Sequence, residues 1–182
     1  LLVSINPAAP NGGSGTQYFI GDFDGSQFTV DPDFKIQLAE ENALWVDYGR
    51  DNYAGVTWSN IPQQDGRKLF IGWMSNWEYA REVPTENWRS AMTIPRELSL
   101  QNIENSYVLT SVPIAELSSY VSKTILKEKL VVNQKKAIIS KDEVDLSRIE
   151  LEMELNNLTK NTYSFLFENS QGDSLSFGLN NI

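Results

Sequence analysis

Short runs of β-prone residues, each closed by a turn signal, fill the first hundred positions and constrain the fold more than any other feature of the chain. The pattern predicts strands over 17–22, 27–30, 44–48, 53–59, 68–74, 91–94 and 97–100. Between them, Asp24-Gly25, Asp31-Pro32, Asp65-Gly66 and the loose segment 6–15 supply residues that accept positive φ or fix φ, as turns require. Strands this short and this regularly punctuated imply an all-β architecture of sandwich, barrel or propeller type, with the choice among the three open.

The pattern changes near position 113. Ser111 or Val112 can cap a helix, Pro113 suits its first turn, and Ile114, Leu117 and Tyr120 or Val121 share one face, so a short connecting helix is expected over 113–121. Composition shifts there too. Every tryptophan and most other aromatics precede position 99, whereas lysine is richer afterwards. A domain boundary is expected between about Leu109 and Lys123. Beyond it, 149–155, 163–167 and 175–179 alternate apolar and polar residues, as antiparallel strands with one wet face do, and imply part of a β-sandwich. Glu150, Glu152 and Glu154 read as the solvated face of such a strand rather than as a metal site.

Charge and composition exclude several functions. A net charge of -9 and a pI near 4.5 argue against nucleic acid and against an anionic membrane as partner, and leave a neutral ligand compatible. The chain has no cysteine and no histidine, so it builds no disulfide, no thiolate or imidazole metal site and no Ser-His-Asp triad. Hydrolytic chemistry would rest on carboxylates. No apolar run approaches the roughly 18 residues of a membrane span, and nothing at the start resembles a signal peptide. The apolar run Leu1-Leu2-Val3-Ser4-Ile5 and the strand-like end at 174–179 both read as β structure cut through, which leads us to expect a segment of a longer protein.

All five tryptophans, Trp45, Trp58, Trp73, Trp77 and Trp88, fall between Leu44 and Leu98, interleaved with Asp47, Arg50, Glu78, Arg81, Glu82 and Arg89. Sugar rings offer apolar faces that stack on indoles and hydroxyl rims that need carboxylates and guanidinium groups, so a sugar site concentrates both. An aromatic-rich β core with charges on its rim gives the same composition, and the two readings stand side by side.

Three segments go further. Asp47-Tyr48-Gly49-Arg50-Asp51-Asn52-Tyr53-Ala54, then Ile71-Gly72-Trp73-Met74-Ser75-Asn76-Trp77-Glu78-Tyr79, then Pro84-Thr85-Glu86-Asn87-Trp88-Arg89-Ser90-Ala91-Met92-Thr93-Ile94-Pro95-Arg96-Glu97-Leu98 together strongly resemble glycoside hydrolase family 32, which includes levanases, exo-inulinases and invertases. The stretch 4–25 is similar to the fourth-blade region of that family. The likeness covers roughly residues 1–110 well and is weaker afterwards.

The resemblance implies a five-bladed β-propeller followed by a β-sandwich. On it, residues 1–112 are the C-terminal portion of the propeller, 113–122 a linker helix and 123–182 the N-terminal portion of the sandwich. It also implies a retaining β-fructosidase acting on levan, inulin or sucrose, extracellular or periplasmic, with no metal or organic cofactor. The family's aspartate nucleophile, glutamate acid/base and stabilising aspartate sit in Trp-Met-Asn-Asp-Pro-type, Glu-Cys and Arg-Asp-Pro motifs. None of these occurs here, so no catalytic residue is nominated, and the missing N-terminal part of the same protein is the expected partner. Substrate-binding residues are Asp47 and Arg50, matching an Asp-x-x-Lys/Arg pair near the leaving-group subsite, Trp73 lining the fructose pocket, and Trp77 at its mouth. For Asp47 and Arg50 a structural salt bridge is the competing reading, for Trp73 core packing, and for Trp77 loop packing. A non-catalytic fructan-binding module would use the same residues.

Overall fold

Antiparallel pairing between neighbours in sequence organises the chain, as its short strands and tight turns require. The computed structural model describes residues 1–104, 106–139, 148–160 and 162–180. These divide into two units, Leu1–Tyr120 and Val121–Ile182. The described residues are mostly β and irregular, with few helices.

In the first unit, strands β1 (Leu2–Ile5) and β2 (Gly15–Tyr18) pair from Leu2↔Tyr18 to Ile5↔Gly15. Strands β3 (Gly21–Phe23) and β4 (Phe28–Val30) form a hairpin whose turn is fixed by Asp24, which accepts from the Ser26 and Gln27 amides at 2.8 Å each. The expected strand over 17–22 is thus two strands. It breaks at Phe19 and Ile20, whose backbone groups turn to Leu1 and Asp31 instead.

Asp31-Pro32 opens a helix, α1 (Pro32–Glu41), in place of the expected turn. The Asp31 carboxylate accepts from the Asp33 and Phe34 amides at 3.0 Å, and Pro32 at the first helical position costs no hydrogen bond. The helix is anchored by Phe34, fully buried against Tyr18 with ring centroids 5.7 Å apart, with Leu38 packed on the same core.

The principal sheet runs β5 (Tyr53–Thr57), β6 (Lys68–Met74), β8 (Arg96–Ile103), β9 (Ser106–Pro113), with the two-residue β7 (Ala91–Met92) also paired to β6. Phe70 of β6 and Leu98 of β8 join Tyr18, Phe34, Leu44 and Val46 in the core. Burying a phenylalanine as completely as Phe70 contributes about 1.5–3 kcal/mol.

Residues 44–48, expected as a strand, make only one bridge, Gln17↔Trp45, flanked by Tyr18 N–H to Leu44 O and Val46 N–H to Thr16 O. The ladder stops because the Asp47 carboxylate captures the Gly49 amide and bends the chain away. Sheet structure also runs further than expected. β9 continues through Pro113, so the connector begins later, as a 3-10 helix at Ala115–Tyr120. Arg67 pins that helix, donating to Glu116 at 2.7 and 3.1 Å while also gripping Asp65.

In the second unit, β10 (Thr162–Glu168) and β11 (Ser174–Asn180) pair in register from Thr162↔Asn180 to Glu168↔Ser174, with Phe165 and Phe167 stacked on Phe177. The alternating segment 149–155 is not a strand, because none of the described strands pairs with it. No helix among the described residues is long and apolar enough to cross a membrane.

Candidate functional site

Asp47 leaves the buried run Leu44-Trp45-Val46 and turns toward β8, where Arg96 donates to its Oδ2 at 2.6 Å. Its Oδ1 takes the Gly49 amide at 2.6 Å, and Asn52 donates to Oδ2 at 3.4 Å. Partial burial pushes the carboxyl up, but the Gly49 amide, Arg96 and Asn52 outweigh it and hold Asp47 below the usual aspartate range. Asn52 is itself buried, and its place depends on Gly72: a Cβ there would overlap the Asn52 carbonyl oxygen. Gly72 is fixed in turn, donating to Thr93 Oγ1 at 2.9 Å and accepting from the Thr93 amide at 2.8 Å. The Asn52 that bonds Asp47 thus packs against the residue next to Trp73.

Trp73 lies opposite Tyr53 and Met92 in the ladder. Its ring meets Tyr53 edge-on at 6.2 Å and tilts against Trp77 at 5.0 Å and 52°. Trp73 is half-buried and Trp77 is 49% exposed, so the three rings form a graded wall that ends in solvent. Among the tryptophans only Trp45 is buried, and Trp88 stands 64% exposed.

The competing reading of a salt bridge between Asp47 and Arg50 is not met. Arg50 instead pairs with Glu78 and lies over the Tyr79 ring, its guanidinium carbon 5.2 Å from the centroid. Three positions after Asp47 the chain has already turned, and the cation that reaches Asp47 comes from a different strand. Beside Arg50, the Tyr79 hydroxyl donates to Asp51, whose carboxyl is raised by burial against the opposing pull of Arg50.

Asn76, which sequence reasoning passed over, holds this region together. It is fully buried, and its amide nitrogen donates to Gly12 O and Arg50 O, both at 3.0 Å, and to Ser14 O at 3.4 Å. Its carbonyl oxygen accepts from the Ser14 amide at 3.2 Å and the Glu78 amide at 3.0 Å. Ser14 completes the clamp by accepting from the Trp77 amide at 3.1 Å. Gly13, with φ of 62°, has no room for a Cβ because Asn76 Oδ1 occupies that space.

The result is an aromatic wall, a part-buried carboxylate and an exposed guanidinium–carboxylate pair on one set of turns. Such a set can hold a neutral, hydroxyl-rich ligand by stacking and hydrogen bonding. Asp47 accepts from Arg96, Asp51 from Tyr79 and Glu78 from Arg50. Among the described residues no three carboxylates gather as a metal centre. A separate apolar cleft lined by Leu2, Tyr18, Ile20, Leu100 and Leu109 contains none of these groups.

Known proteins are similar to this chain over much of its length. Levanase from Bacillus subtilis (strain 168) is 50% identical over 119 residues, 65% of this chain and 17% of that protein. The extracellular exo-inulinase of Aspergillus niger is 45% identical over 121 residues, 65% of this chain and 22% of its own length. Among solved structures, a variant fructofuranosidase from Schwanniomyces occidentalis complexed with fructosylnystose aligns with a TM-score of 0.59 at 26% identity, covering 98% of this chain and 36% of that one. This chain therefore spans only about a fifth of the curated relatives named here. The Asp47, Trp73 and Asn76 segments all lie within residues 1–113, which match the model of the glycosyl hydrolases family 32 N-terminal domain, and the chain belongs to that family.

Proposed function

We propose that this chain is part of a retaining β-fructosidase that releases terminal fructose from levan, inulin or sucrose, and that it contributes the substrate-binding residues Asp47, Arg50, Trp73 and Trp77. The observation that carries the reading is the Trp73–Trp77 wall beside Gly72, against which the Asp47-bound Asn52 packs, all within residues 1–113 that match the family model. Retention requires a nucleophile and an acid/base about 5 Å apart across the scissile bond. Asp47 and Glu78 are instead engaged as ion-pair acceptors, which supports placing the two catalytic carboxylates elsewhere in the complete protein. In this reading residues 1–112 are the C-terminal portion of a β-propeller, 113–122 its linker and 123–182 the start of a β-sandwich. An extracellular or periplasmic location is supported by the extracellular relative.

Fructose release from levan, inulin and sucrose by these 182 residues, measured beside a longer form of the protein, tests the reading. Activity confined to the longer form is expected. Fructose release by the 182 residues alone would show that their own carboxylates perform the chemistry. Sugar binding without hydrolysis by the longer form would make the protein a fructan-binding module.

A further inference from the structure

We infer that Asn76 is a positioning residue that locks the aromatic side of the sugar site to its guanidinium side, so that both present to one ligand. The inference rests on the proposed roles of Trp77 and Arg50, but its geometry is independent of them. A primary amide has two N–H donors and two acceptor lone pairs. Asn76 uses both kinds fully, and its partners belong to three segments that are far apart in sequence: Gly12 and Ser14, Arg50, and Glu78.

Each bond bears on the site. Holding the Arg50 carbonyl fixes the turn that carries the guanidinium. Holding the Glu78 amide fixes the carboxylate to which that guanidinium binds, and Ser14 holds the Trp77 amide beside it. Gly12 and Gly13 let the 6–15 loop press onto this turn, since a Cβ at Gly12 would lie 2.7 Å from Glu78 Oε1. A buried amide with every bond satisfied specifies one arrangement, because any shift of a segment strands a polar group out of water.

Trp77 and Arg50 are binding groups that act alike on substrate and transition state. Loosening them should raise KM and leave kcat almost unchanged. Asn76→Asp keeps the shape but removes the donors, and its carboxylate would face three carbonyl oxygens. In the full-length protein, well below its melting temperature, Asn76→Asp is expected to raise KM on levan about tenfold with kcat within about twofold of wild type. The KM difference should widen as pH rises and the buried carboxyl ionises. Asn76→Ser, which keeps one side-chain donor and acceptor and is a milder change should Asn76→Asp fail to fold, is expected to raise KM about threefold. Amide hydrogen exchange in Asn76→Asp should quicken together over 48–52 and 76–79, a readout that needs no catalysis.

Unchanged KM in both variants, or a loss entering only through kcat, would overturn the inference. So would faster exchange confined to 76–79. A wild-type protein that releases no fructose from any fructan would refute the functional reading instead, and coupled exchange over both segments would still uphold the lock.

Discussion

Arg96 Nη1 lies 2.6 Å from Asp47 Oδ2, across a separation of 49 residues, and this contact rather than any local pair decides where the Asp47 carboxylate stands. Both side chains are about three-quarters buried, with 25% and 22% of their surfaces exposed. Removing one partner of such a pair leaves the other charge poorly solvated. Arg96→Ala is therefore expected to cost about 2 kcal/mol, near the value of a charged hydrogen bond. Arg50→Ala should cost about 0.5 kcal/mol, as the loss of an exposed pair does. Urea unfolding of the full-length variants measures both, and a larger loss for Arg50→Ala would mean that Asp47 is held by the nearer cation after all.

Acid should expose the same contact. The folded-state pKa of Asp47 lies below its ordinary value, so its ionised form stabilises the fold at neutral pH, and this contribution fades as pH falls through the ordinary aspartate range toward the depressed folded value. Asp51 has the opposite sign: its pKa is raised, so its ionised form costs stability at neutral pH, and acid relieves that cost. The melting temperature of Asp47→Asn should accordingly fall less than that of wild type between about pH 5 and pH 3. Parallel melting curves for the two proteins across that interval would show that the Arg96 contact adds nothing.

Much of the scaffold was legible in the sequence because it is local. The 68–74 strand reproduces its expected limits, since its alternation and flanking turns act over a few residues. Helix α1 was hidden by reading Asp31-Pro32 as a turn, although an aspartate cap with proline at the first position equally opens a helix. The strict alternation of 149–155 describes the faces a strand would present, but a strand exists only where a partner completes its ladder. At the site, the aromatic and charged residue types were visible and their pairing was not. The family resemblance coupled Asp47 with Arg50, whereas the cation that reaches Asp47 is Arg96, placed by the register of β8. Asn76 carried no signal, because its importance lies in contacts 26 to 64 residues away that only the folded chain brings together.

Gly13 tests the packing of the 6–15 loop. It adopts φ of 62°, where an alanine is strained, and the added methyl would meet Asn76 Oδ1. Strain and overlap act in the same direction, so Gly13→Ala should destabilise the protein by about 2 kcal/mol. Gly25, with φ of 99° and nothing within 4 Å of its missing Cβ, serves as the control that carries strain alone. Gly25→Ala should cost about 1 kcal/mol. Equal losses at the two positions, read from thermal or urea unfolding, would show that contact with Asn76 is not the constraint.

The two wall tryptophans should separate stability from binding. Trp73 touches rings on both sides and pairs with both β5 and β7 near the end of β6, so Trp73→Ala removes packing as well as any stacking surface and should cost about 3 kcal/mol of stability along with weakened fructose binding. Trp77 is half-exposed and packs on Trp73 from one side only. Trp77→Ala should therefore cost about 1 kcal/mol of stability, while losing about tenfold in kcat/KM on fructan if the ring stacks on sugar. Asp47→Ala should act differently again: if Asp47 lies near the leaving group, as proposed, the ratio of kcat/KM between sucrose and levan changes more than either value for the shared fructosyl unit. These outcomes are read from melting temperature and steady-state kinetics on levan, inulin and sucrose in the full-length protein. Kinetics for Trp73→Ala and Trp77→Ala that match wild type on every substrate would remove both rings from the site and leave the wall a packing feature of β6 and the turn that follows it.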